Sequence, residues 1–146
     1  MTDTTADVLA WLAPRADEME ALLHRLVDID SNSFDKAGTD AVGAAITEVL
    51  QADDIAIDRI PKSGFGDVLR AEVPGRQANS YALLLGHRDT VFKTGTVATR
   101  GYSRKDDLAF GPGVCDMKAG LVANIFALRA IKAAGGLPFP VVALFT

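Results

Sequence analysis

Two short segments carry residue types that could do chemistry. In His87-Arg88-Asp89-Thr90 an imidazole and a carboxylate stand two residues apart, and on an extended chain such side chains project to the same side. That pairing suits a metal-bound histidine whose second ring nitrogen is oriented by a carboxylate. Taken alone, the tetrapeptide reads more plainly as a surface turn containing His and Asp. The second segment is FGPGVCDMKAG, residues 110–120, a tight glycine-rich turn that delivers Asp116 to the start of a helix. A carboxylate there reads as a plain N-cap. It also reads as a bridging metal ligand, one oxygen to each of two ions. The run fails as a phosphate loop, because it lacks the G-x-x-x-x-G-K-[ST] spacing and, as G-x-G-x-x-G, places Asp116 at its last position.

Other reactive groups near these segments have plainer readings. Cys115 could ligate zinc or act as a nucleophile with His87, which is the basis of a thiol-enzyme reading, but a small buried residue in a tight turn is the simpler expectation. Arg88 and Lys118 are candidate charge partners for an acidic site, and equally solvated or structural residues. His24, the only other histidine, falls beside the apolar stripe of a helix and reads as a partly exposed helix residue.

The elements that must position these groups are legible from periodicity. Met19, Leu22, Leu23, Leu26 and Val27 paint one stripe of a helix spanning about residues 14–28. The Ser, Asn, Asp and Gly cluster IDSNSFDKAG breaks the pattern and predicts a loop. Thr39 or Asp40 then offers an N-cap for a second helix that runs to about Leu50. Beyond Asp54 the period changes to two in IAIDRI, GDVLRAEV and YALLLGH, which predict strands, with YALLLGH apolar on both faces and so expected to be central. The polar segment TVATRGYSRKDDLAFGPG predicts a hairpin or long loop with Lys105-Asp106-Asp107 at its tip. A largely buried helix is expected from Met117 to about Ala134, stopped by Gly135-Gly136, and PVVALFT predicts a buried strand. The order implies an α/β fold with helices covering both faces of a mixed, mostly parallel sheet, in which ligands collect beyond the carboxyl ends of the strands.

Composition removes several function classes. At 146 residues with 49% apolar and 23% charged content, the chain has the make-up of a single globular domain. Its 15 Lys and Arg are scattered and outnumbered by 19 Asp and Glu, giving net charge −4, which argues against nucleic acid as a partner. No secretory leader pattern opens the chain and no apolar run approaches the roughly 18 residues of a membrane span, so a cytoplasmic protein with no membrane partner is expected. One cysteine excludes an internal disulfide.

Jointly, GHRDTVFKTGTV, then FGPGVCDMKAGLVANIFAL, then VVALFT resemble the first half of the M20 metallopeptidase catalytic domain, in its glutamate-carboxypeptidase and acetylornithine-deacetylase branch. DIDSNSFDKAGTDAVG and DRIPKSGFGDVLRAEV fit the way that branch begins. The resemblance implies a zinc-peptidase-like three-layer fold and the N-terminal portion, residues 1–146, of a single catalytic domain, with the substrate or dimerisation domain and the C-terminal portion absent. It implies that His87 ligates one zinc, that Asp89 is the catalytic carboxylate orienting His87, and that Asp116 bridges two zinc ions, with cobalt or manganese as substitutes. It also implies a cis Asp116-Met117 bond and hydrolysis of a peptide or small amide bearing a carboxylate, by a carboxypeptidase or N-acyl amino acid deacylase. The general-base glutamate and the remaining ligands of the family lie beyond VVALFT, so this chain alone is expected to be inactive or nearly so. It is expected either to form a homo-oligomer or to need a missing C-terminal segment. The alternative is a non-catalytic half-domain that associates with a complementary chain.

Overall fold

A computed structural model describes residues 4–77 and 80–146. The chain opens on helices α1 (Thr4–Leu12), α2 (Ala16–Val27) and α3 (Lys36–Gln51), followed by strands β1 (Ala56–Ile60), β2 (Val68–Val73) and β3 (Ala82–Gly86). A short helix α4 (Val97–Arg100) and a hairpin of β4 (Ser103–Lys105) and β5 (Leu108–Phe110) precede the turn Val114–Lys118. Helix α5 (Ala119–Ala133) and strand β6 (Val141–Phe145) complete it. The predicted helices, strands and hairpin are all present. Helices α1 and α4 were not anticipated, and the cap of α3 is Asp35, whose side chain accepts from Gly38 N at 3.0 Å, rather than Thr39 or Asp40. Asp35 lies at the edge of a loop rich in capping residue types, where pattern alone does not choose among them.

The main sheet has the order β1-β2-β6-β3. β3 pairs in parallel with β6, whereas β1–β2 and β2–β6 are antiparallel. The sheet is mixed, as expected, but antiparallel pairs predominate among the described strands. β6, not β3, is central, and β3 lies at the edge. Register explains the burial. The row Ile57, Ala71, Ala143, Leu84 runs across one face, and Asp58, Arg70, Leu144, Leu85 across the other. Leu69, Ala71, Val73, Val141, Ala143 and Phe145 are buried against α2, α3 and α5. The opposite face leaves Leu83 at 49% and Leu85 at 59% exposure. Among the described residues the helices therefore cover one face of the sheet, not two. The double-sided apolar pattern of YALLLGH predicts burial, but its outward leucines stand in the open.

The parallel β3–β6 pair fixes where a site can form. Both strands end at the same rim, locked by Arg88 N to Thr146 O at 2.7 Å and Thr146 N to Gly86 O at 2.9 Å. His87 lies between these two bonds, one residue past the end of β3.

Candidate metal centre

Three layers of chain converge at this rim. Strand β3 delivers His87 and Asp89. The loop between α2 and α3 runs alongside, with Thr90 N donating to Ser31 O at 2.7 Å and Ser33 N donating to Thr90 O at 3.1 Å. The turn before α5 supplies the third layer. Gly113 adopts φ +75°, in the left-handed region, and a Cβ there would lie 2.5 Å from Thr90 Cγ2. Glycine thus permits both the reversal and the close approach of the turn to the strand end. Within the turn Asp116 and Met117 have non-helical backbone angles, and the bond between them is cis, as the resemblance implied.

The turn brings Asp116 onto His87 from 29 residues away, with Nε2 and Oδ1 separated by 2.9 Å. The other ring nitrogen, Nδ1, donates to the backbone oxygen of Asp89 at 2.9 Å and has the Asp89 carboxylate 3.3 Å away. The backbone amide of His87 also donates to Met117 Sδ at 3.4 Å. Burial pulls the imidazole down, but the Asp116 and Asp89 contacts outweigh it and hold His87 above the ordinary histidine value. A cavity of about 290 Å³ opens beside the pair, lined by His87, Asp89, Val91, Phe92, Cys115 and Asp116 among others.

The donor set fits a zinc-sized cation. A zinc bound to a histidine nitrogen and a carboxylate oxygen at about 2.0–2.2 Å in a tetrahedral arrangement holds those atoms about 3.4 Å apart. The 2.9 Å pair must open by only about half an ångström to admit it, and the Asp116 side chain, 87% exposed, has room to swing. Among the described residues no group of three His, Cys, Asp or Glu side chains is placed to hold an ion. His87 and Asp116 therefore offer two donors of the roughly four that zinc takes.

The remaining sequence candidates separate cleanly. Arg88 and Lys118, weighed as charge partners of an acidic site, are both 1% exposed and bond to carbonyls instead. Arg88 donates to the carbonyls of Thr39, Asp67 and Thr146. Lys118 Nζ donates to Leu26 O and Ile29 O, each at 2.8 Å, and burial pushes its ammonium down to about 8. Cys115 is exposed rather than buried. The contacts of the His87 ring nitrogens run to Asp89 and Asp116 rather than to Cys115. His24 lies in α2 as expected, pairing with Asp28 at 3.0 Å and stacking on Tyr102. Ser33, whose hydroxyl donates to Asp89 Oδ2, is not visible from pattern, because one serine in a polar loop carries no periodic or spacing signal.

The segment that carries His87, Asp89 and Asp116 is also the one that a known family model matches. Residues 83–146, which include all three site residues, match the model of peptidase family M20/M25/M40. The chain is 30% identical over 124 residues to carboxypeptidase G2 of Pseudomonas sp. (strain RS-16), an alignment covering 82% of this chain and 30% of that protein. Its fold is similar to that of human carnosine dipeptidase 1, with a TM-score of 0.76 at 19% identity, over 94% of this chain and 33% of the other. An M20 family metallo-carboxypeptidase from Sulfolobus solfataricus gives a TM-score of 0.73 at 22% identity, covering 88% of this chain and 30% of the other. The chain spans about a third of the length of these relatives. Because sequence and fold agree, and agree over the segment that brings His87 to Asp116, this chain belongs to peptidase family M20/M25/M40.

Proposed function

We propose that this chain forms the N-terminal portion of the catalytic domain of a zinc-dependent hydrolase that cleaves an amide bond next to a carboxylate, as a carboxypeptidase or N-acyl amino acid deacylase does. The observation that carries the reading is the 2.9 Å meeting of His87 Nε2 with Asp116 Oδ1 at the carboxyl rim of a parallel strand pair. His87 would hold one ion through Nε2, with its other nitrogen kept as the N–H by the Asp89 backbone oxygen and the neighbouring carboxylate. Asp116 would share its two oxygens between two ions, and Asp89 would keep the imidazole aimed at the cavity. Bound zinc would acidify a water and polarise the scissile carbonyl. Cobalt or manganese could replace it, and we place the protein in the cytoplasm.

With two donors of about four, and no glutamate lining the cavity, the 146-residue chain is expected to hydrolyse N-acyl amino acids slowly or not at all. Calorimetric titration with zinc tests the site. His87→Ala and Asp116→Ala should each weaken zinc binding tenfold or more, and unchanged binding in both would refute the assignment. A second reading, association with a complementary chain or a second copy, is favoured by the uncovered sheet face around Leu83 and Leu85.

A further inference from the structure

We propose that Ser33 is a positioning residue for the candidate metal centre, its hydroxyl fixing the carboxylate of Asp89 beside His87. The inference rests on the reading of His87 as a metal ligand. Asp89 is a third exposed and lies just past the end of β3, where a short carboxylate is free to change rotamer unless something holds it. Two contacts do so. Oδ1 lies 3.3 Å from His87 Nδ1, and Oδ2 accepts from Ser33 Oγ. The carboxylate is therefore stretched between imidazole and hydroxyl, and a charge-assisted bond from a hydroxyl is among the stronger polar contacts available.

Ser33 can be tested because its hydroxyl is not what holds its loop. Ser33 N to Thr90 O at 3.1 Å, Thr90 N to Ser31 O at 2.7 Å, Ser31 Oγ to Arg88 O at 3.0 Å and Asn32 Nδ2 to Phe92 O at 3.0 Å keep the loop on the strand without it. A rival role for the hydroxyl is a bond to Thr90 O, which lies 3.4 Å away. That role would leave Asp89 indifferent to its loss.

The experiment compares the 146-residue chain with Ser33→Ala and Ser33→Thr. Side-chain coupling constants measured by NMR without metal should show a single Asp89 χ1 rotamer in the parent and in Ser33→Thr, and averaged rotamers in Ser33→Ala. Calorimetric titration with zinc alone should show affinity falling about 3- to 10-fold in Ser33→Ala and recovering in Ser33→Thr, somewhat less than the loss usual for a direct partner of a ligating histidine. A single Asp89 rotamer in Ser33→Ala would overturn the inference. So would unchanged zinc affinity in that variant while His87→Ala loses it. Zinc binding that survives His87→Ala would overturn the metal reading itself and with it the purpose assigned to Ser33. Rotamer averaging in Ser33→Ala would mark that failure as distinct, since the contact with Asp89 would still stand.

Discussion

His87 sits between two acceptors, Asp116 on Nε2 and Asp89 at Nδ1, and without metal that arrangement favours the doubly protonated ring. Because the folded value is raised above the ordinary 6.5, this contact contributes to folding stability below about pH 6.5, and the contribution is lost as pH rises through the folded value. Metal binding runs the other way, since an ion on Nε2 must displace the proton. Zinc affinity should therefore rise as pH is raised from about 5.5 to 7.5, with up to about one proton released per ion bound. Calorimetry in buffers of different ionisation enthalpy measures that release. At this scale the sequence was most informative: His87, Asp89 and Asp116 were legible because two spaced motifs carried them. Ser33 was not, because only coordinates show which of several loop hydroxyls reaches the carboxylate.

Helix α3 is shaped around the buried guanidinium behind the site. A Cβ at Gly43 would lie 2.1 Å from Arg88 Nη1, and that guanidinium cannot retreat cheaply, because Arg88 is buried and holds three carbonyls on separate segments. Replacing an exposed mid-helix glycine by alanine ordinarily gains about 1 kcal/mol. Here the clash wins, and Gly43→Ala should destabilise the chain by about 1–3 kcal/mol in denaturant unfolding; a gain in stability would contradict the packing described. Element boundaries came from periodicity, so α2, α3, α5 and the strands were visible while four-residue α4 was too short to show a period. β3 lies at the sheet edge rather than at the centre that its sequence predicts, for a physical reason. Apolar residues on both faces suggest a strand covered by two layers, yet the outward leucines here stand open, and the apolarity of a strand's faces does not fix its lateral place in the sheet.

Among the described residues, one sheet face is packed and the other is open. A groove of about 420 Å³ on the open face is lined by Tyr81, Leu83, Val142 and Leu144 together with Arg70 and Glu72. Apolar area of this kind drives association. The chain should self-associate in a concentration-dependent way, and Leu83→Lys with Leu85→Lys should shift it toward monomer in size-exclusion chromatography with light scattering. A parent chain that stays monomeric at high concentration would remove the association reading. Leu83 and Leu85 lie on the face away from the packed helices, and His87 and Asp116 lie past the end of β3.

Convergence of two distant residues on one cation is visible to NMR of the histidine ring nitrogens during zinc addition. His24, paired with Asp28 in α2, is the built-in comparison. The Nε2 signal of His87 and the side-chain carboxyl carbon of Asp116 should shift together at the same zinc concentration, while His24 stays still. Movement of His24 alone, or of His87 without Asp116, would contradict it.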